Sequence, residues 1–164
     1  MAAITDEAIS IVKAASAQEF DFINQIMKQR DYLLFIGIPR TYTDQSYIFY
    51  NGENMVGYFM PAVRSENTNQ RISSPIVYIS ERNYSIHCLM SMISFIMVNL
   101  GCDKMLVEVF ESNTVMLSLI SRLGLRKEGV FRRNAKQPDP KDKQIFALSQ
   151  SVFQKIREEM NKRY

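Results

Sequence analysis

Nothing in the chain approaches the run of ~20 apolar residues that a membrane-spanning helix requires, so no membrane association is expected. Met1 is followed by Ala, Ile, Thr, Asp and Glu without an early basic residue. That opening does not read as a secretion signal, and the cytoplasm is the expected compartment. Cysteine is scarce: Cys88 and Cys102 stand at a spacing that suits neither a metal site nor a thioredoxin-like pair. Both are expected to be reduced and to pack as small hydrophobes. The single histidine, His87, has no second His or Cys cluster to work with, which argues against a zinc enzyme, and no metal is expected. The net charge of +3 is accompanied by no helix-turn-helix, zinc-finger or RNP-like pattern. Nucleic acid is therefore not an expected partner, although the charge suits an anionic ligand. Internal repeats and low-complexity segments are also lacking.

What is present is ordinary. The 164 residues, 46% hydrophobic and 23% charged, have the composition of a globular protein. Their number suits one domain, residues 1–164, with a sizeable core.

Ala8-Ile9-Ser10-Ile11-Val12-Lys13 alternates and predicts a first strand. Ser16-Ala17-Gln18-Glu19 is a capping box, in which serine and glutamate satisfy reciprocal free N–H groups at a helix start. The helix should reach Lys28 or Arg30 and bury Phe20, Ile23 and Met27. Leu33-Leu34-Phe35-Ile36 reads as a helical turn or a short extended piece, ended at Gly37-Ile38-Pro39. Tyr47-Ile48-Phe49-Tyr50, then Asn51-Gly52, then Met55-Val56-Gly57-Tyr58-Phe59-Met60 predicts a hairpin, with Asn-Gly supplying the positive φ angles of a tight primed turn. Residues 64–74 are polar and read as a mobile loop or a wide hairpin turn.

The chain is organised around residues 75–133. Ile76-Val77-Tyr78-Ile79 predicts a strand, residues 81–85 a polar turn, and residues 86–100 a helix. Ile86, Leu89, Met90, Ile93, Ile96, Met97 and Leu100 form that helix's apolar stripe, widened by Met92 and Phe95. A second strand over residues 105–110 leads through Asn113 to a short helix ended at Gly124, where a left-handed residue is common. After a turn at residues 138–142 come a strand over residues 144–148 and a helix over residues 151–160. The expected fold is α/β (α+β): one mixed, mostly antiparallel sheet of six to seven strands with helices on both faces.

The turn from Arg82 to His87 is the candidate anion site. A loop passing from strand to helix offers free backbone N–H groups beside the positive end of the helix dipole, and Arg82 adds a bidentate charge suited to phosphate. The plainer alternative is that Ser85 caps the helix and Arg82 is solvated.

The order of elements, with Val107-Glu108-Val109, Asn113, Arg122-Leu123-Gly124-Leu125 and Glu128-Gly129-Val130-Phe131-Arg132, resembles the GNAT superfamily of N-acetyltransferases. The branch it resembles most contains the ribosomal-protein N-terminal and amino-sugar enzymes, and the specific match covers residues 76–133. The resemblance implies acetyl-CoA, or another acyl-CoA, as co-substrate. It implies a pyrophosphate cradle at Ile79, Ser80, Arg82, Asn83, Tyr84, Ser85, Ile86 and His87, and pairing of the pantetheine arm with the strand over residues 76–80. Asn113 would hydrogen-bond that arm or orient the thioester, a role compatible with a helix N-cap. Arg126-Lys127 and Arg132-Arg133 are either phosphate or substrate contacts or a solvated face. Two departures stand out. Ser85 and His87 occupy the small-residue positions of the family's phosphate loop, and glycine there lets a backbone approach phosphate closely. Ile120 occupies the position, seven after the Asn, where many members carry a tyrosine general acid; Met116 stands where that branch often has serine.

Acyl transfer to an amine needs oxyanion stabilisation and two proton transfers. The candidate catalytic residues are Asn113, Glu108 and Tyr78, with Ser118 or Ser121 as further proton carriers. Glu108, which shares a strand face with Leu106 and Phe110, is either half-buried or a sheet-face carboxylate paired with Lys or Arg. Phe35, Tyr42, Tyr47, Tyr50, Tyr58 and Phe59 either line an amine cleft or are core. The expected activity is transfer of an acetyl group to a primary amine: a small amine, an amino sugar or a protein N-terminus. The alternative is a binding or structural protein of the same fold without efficient catalysis. A homodimer is left open.

Overall fold

The computed structural model describes residues 9–28, 45–65, 69–131 and 142–163. Strand β1 (Ser10–Lys13) leads into helix α1 (Ala17–Met27). The capping box forms: the Ser16 hydroxyl accepts the Glu19 N–H at 3.2 Å, and the Glu19 carboxylate accepts the Ser16 N–H at 3.1 Å. Ile23, Ile26 and Met27 are buried, whereas Phe20 is 37% exposed. The buried stripe therefore lies round from the expected one, with Ile26 taking the place of Phe20.

Strands β2 (Tyr47–Asn51) and β3 (Asn54–Met60) form the expected hairpin. Asn51 pairs with Asn54, so the turn is Gly52-Glu53, and Gly52 at φ +62° is its residue with positive φ. The asparagine expected in the turn belongs to the strand end instead.

Residues 64–74, expected to be a mobile loop or a wide hairpin turn, take the hairpin form in their described part, with more strand than their polarity suggests. Strands β4 (Val63–Ser65) and β5 (Arg71–Ser73) pair there, and β6 (Ile76–Ile79) follows after Ser74-Pro75. The registers are continuous: Met60 faces Ile76 and Val63 faces Ser73. Thus β3–β4 and β5–β6 are the two arms of one long hairpin, bent at Pro61-Ala62 and Ser74-Pro75. Proline contributes no N–H to a ladder, and Ala62 takes a positive φ of 45° at the bend. The buried Ser73 hydroxyl donates to the Pro61 carbonyl, which satisfies an acceptor at the interruption.

Helix α2 (Ser85–Ser94) continues into a five-residue π-helical segment, Phe95–Asn99. Then come β7 (Lys104–Phe110), α3 (Thr114–Leu123), β8 (Arg126–Phe131), β9 (Lys143–Ser149) and α4 (Gln150–Arg163). Gly124 closes α3 at φ +78°, as the Leu-Gly sequence predicts. The Gln150 amide donates to the carbonyls of Met97 and Cys102, tying α4 to the end of the α2 segment.

The hydrogen-bonded strands form two sheets, ordered β1-β2-β3-β6 and β4-β5-β7-β9-β8. All neighbours are antiparallel except β5 and β7. The bent hairpin makes nine segments into seven continuous runs, within the expected number, but it divides the expected single sheet in two. The main core lies where Phe49, Val56 and Phe59 of the first sheet and Met105, Val107, Phe146 and Leu148 of the second meet α2, α3 and α4. A smaller core sits under α1, where Ile23 and Ile26 meet Ile48, Tyr58 and Met60. Each fully buried aliphatic or aromatic side chain there contributes about 1.5–3 kcal/mol.

The segment around residues 31–43, the turn at 138–142 up to Lys141, and Phe35, Tyr42, Arg132 and Arg133 lie outside the described residues. No helix among the described residues is long and apolar enough to cross a membrane.

Candidate functional site

The parallel ladder of β5 and β7 has two rungs, Ile72 opposite Lys104 and Ser73 opposite Met105. Beyond them the chain reaches Pro75 and β6 turns away to pair with β3. The residues that would have formed the next rungs instead line a cavity of about 200 Å³. They are Ser74, Pro75, Ile76 and Val77 on one side and Leu106 to Phe110 on the other, joined by Arg64, Asn113, Met116 and Lys143.

Backbone direction alternates along a strand. Ser74 and Ser80 donate their N–H groups to the carbonyls of Ala62 and Val56, on the β3–β4 side. Val77 and Ile79, of opposite parity, therefore turn their N–H and C=O groups toward the cleft, where no strand among the described residues pairs with them. An open strand edge of this kind accepts an extended chain carrying its own amides.

Asn113 stands at the end of β7 as the N-cap of α3, its side-chain oxygen accepting the Met116 N–H at 3.2 Å. Its carboxamide NH2 finds no acceptor among the described residues, while the residue itself lines the cavity. The cap and the ligand-facing role expected of it are thus compatible. Glu108 also lines the cavity, but it is exposed, not half-buried. Its carboxylate lies 3.7 Å from the Lys143 ammonium, the paired arrangement weighed above. Lys143 also sits 4.8 Å from the centre of the Phe110 ring, a cation–π contact that holds its stem along β7.

Tyr78 does not join Glu108 and Asn113. It faces Tyr58 across the β3–β6 ladder and packs half-buried against the core under α1. Ser118 and Ser121 are exposed on α3 and do not line the cavity. Ile120 is buried, and Met116 borders the cavity. Tyr47, Tyr58 and Phe59 are buried core, and the Tyr50 hydroxyl donates to Glu19 at 2.8 Å.

The turn expected to hold phosphate forms a single 3-10 turn, Arg82–Tyr84, running straight into α2. Ser85 is the first residue of α2, not its cap, and neither segment's N-terminus is capped by a side chain. Ser80, Glu81, Arg82 and Asn83 are exposed, whereas Ile79, Tyr84, Ser85, Ile86 and His87 are half-buried. Backbone carbonyls already accept several of the amides here: Ser80 and Glu81 donate to Val56, Tyr84 to Glu81 and Ser85 to Arg82. No residue of the turn lines the cavity, so the two parts of the candidate site lie at different points along the cleft.

Two charged cavity residues were not among the candidates, Lys143 and Arg64. Lys143 reaches the site only through the pairing of Lys143 with Phe110 across β9 and β7, a register that no local pattern displays. Arg64 lies in the segment whose polarity hid a strand. Neither cysteine offers a nucleophile. Burial pushes the Cys88 thiol up to about 12, and burial, ahead of the opposing influence of Arg71, also raises Cys102. Among the described residues no group of His, Cys, Asp or Glu is arranged to hold a metal.

No family model matches the sequence, and no curated protein matches it. Solved structures do match. One is spermidine N-acetyltransferase from Vibrio cholerae in complex with CoA and spermine, at a TM-score of 0.75 and 12% identity, covering 91% of this chain and 99% of that one. Another is aminoglycoside N(6')acetyltransferase from Legionella pneumophila, at 0.71 and 11%, covering 95% and 98%. At such identities the likeness establishes architecture: the chain has the GNAT acetyltransferase fold.

Proposed function

We propose that the protein is an acyl-CoA-dependent N-acyltransferase that moves an acetyl group from acetyl-CoA directly to a primary amine. The observation that carries this reading is the cleft between β6 and β7, where the ladder stops after Ser73 and Met105 and backbone groups of Val77 and Ile79, unpaired by any strand among the described residues, face inward. The pantetheine arm, an extended chain with two amides, would lie along that edge. The uncapped turn at Arg82–Tyr84 would meet the pyrophosphate, and the Asn113 carboxamide would donate to the arm or the thioester. The CoA held by the spermidine N-acetyltransferase structure supports the same reading.

In the proposed reaction Glu108 takes a proton from the substrate ammonium. The freed amine lone pair attacks the thioester carbonyl carbon, and the carbonyl oxygen carries the developing charge. Collapse breaks the C–S bond, and the sulfur leaves with its electrons. The second amine proton goes to that thiolate through solvent, and Glu108 returns its own proton to the medium. A positioned base of this kind is worth about 10²–10⁴ in rate. Neither Cys88 nor Cys102 lines the cavity and both thiols are raised by burial, which favours direct transfer over a cysteine-linked acyl-enzyme.

The test is release of CoA thiol from acetyl-CoA across a panel of primary amines, with product mass confirming N-acetylation. Turnover above hydrolysis on at least one amine supports the reading. Its failure across the panel, with acetyl-CoA nevertheless bound, favours the second reading of a non-catalytic protein of this fold, toward which Ile120 at the tyrosine position already points.

A further inference from the structure

The only carboxylate among the described residues lining the cavity is Glu108, and it stands beside the ammonium of Lys143. At 3.7 Å the two charges attract but do not share a hydrogen bond, and their side chains remain 43% and 31% exposed. An exposed pair of this kind contributes little to stability, so a ligand can part it at small cost. A polycation would need several uncompensated carboxylates, and the described residues lining the cavity supply none. A molecule bearing an ammonium and a carboxylate a few atoms apart fits instead. Its ammonium would meet Glu108 and its carboxylate Lys143, turning one loose pair into a closed square of alternating charges.

We propose that the acceptor is a zwitterion of the amino-acid class, whose carboxylate is held by Lys143 so that its amine lies against Glu108. This rests on the acyltransferase reading above and narrows its substrate. The spacing selects α- or β-amino acids, in which the two charges are close, over diamines and over protein N-termini, whose carboxylate is already an amide. Phe110, under the Lys143 stem, fixes where the ammonium stands. Lys143 is here a substrate-binding residue, and Glu108 the base it serves.

The experiment compares kcat/KM at saturating acetyl-CoA for free L-α- and β-amino acids, their carboxamides and spermidine, with acetyl-CoA binding followed separately by calorimetry. At least one free acid is expected to exceed its own amide by about tenfold or more, since a site built for a polar group rejects the analogue lacking it, and to exceed spermidine. Lys143→Met is expected to bring the acid-to-amide ratio within about twofold of unity, and Lys143→Arg to retain most of it. Equal rates for acid and amide, a preference for spermidine, an unchanged ratio in Lys143→Met, or no turnover of any amine by a protein that binds acetyl-CoA overturns this inference. If acetyl-CoA does not bind at all, the acyltransferase reading falls and takes the inference with it.

Discussion

Ser73 and Met105 form the last rung of the parallel ladder, and past them β6 and β7 part. Leu106, the next residue on β7, lines the resulting cavity and is half-buried. Replacing it with Trp fills the opening without touching the main core. Leu106→Trp is expected to weaken acetyl-CoA binding by at least about tenfold while the chain stays folded, because displaced ligand atoms lose their contacts outright. Calorimetry and circular dichroism on the same sample check both halves.

Asn113 has two separable duties. Asn113→Ala removes the cap and costs about 0.5–2 kcal/mol of stability, as well as the NH2 donor. Asn113→Asp keeps an oxygen for the Met116 N–H and exchanges the NH2 donor for a second, negatively charged acceptor. The aspartate variant is expected to match the wild type in urea denaturation yet bind acetyl-CoA more weakly. Equal binding by both would remove Asn113 from the ligand site.

Gly57 in β3 marks how closely β3 and β6 approach. A Cβ there would stand 2.5 Å from the Tyr78 carbonyl oxygen and 3.0 Å from the Ile79 Cα, both backbone atoms that cannot swing aside. Gly57→Ala is expected to cost about 1–3 kcal/mol as an overpacked site. Because β6 must shift to admit the methyl group, the variant should also lose acetyl-CoA affinity. Chemical denaturation and ligand titration measure the two effects independently.

Stability should depend on pH through Glu19. The Ser16 backbone N–H, then the Tyr50 hydroxyl, hold its carboxyl down to about 2, from an ordinary 4.5. A depressed carboxyl stabilises the fold fully above pH 4.5, and that contribution is lost as pH falls from 4.5 toward 2. Tyr50, raised by burial and then by Glu19, behaves oppositely: its contribution is complete below pH 10 and declines above it. Tyr50→Phe is expected to flatten both limbs in urea titrations between pH 2.5 and 11. An unchanged acid limb would assign the acid loss to other carboxylates.

Local chemistry was legible wherever one residue type answers one backbone need. The Ser16–Glu19 box, the Gly124 helix end and the Asn113 cap all formed as read. The α2 stripe was legible because its periodicity is strong: Leu89, Ile93, Ile96 and Met97 are buried. The bend at Pro61-Ala62 and Ser74-Pro75 was not, since two three-residue strands of Val-Arg-Ser and Arg-Ile-Ser carry too few alternations to show a period. Their existence, and with it the division into two sheets, depends on pairing between distant segments. Glu108 and Asn113 come together at the cavity because they sit on one strand and its following cap. Lys143 arrives through the pairing of β9 with β7, and Tyr78, one residue from Val77, faces the core under α1 by simple alternation.

The central claim is that the gap between β6 and β7 holds an acyl-CoA. Titrating the full chain with acetyl-CoA by calorimetry tests it most directly. One equivalent bound, with affinity reduced in Leu106→Trp, is the predicted result. No detectable heat or thermal shift at millimolar acetyl-CoA would contradict it.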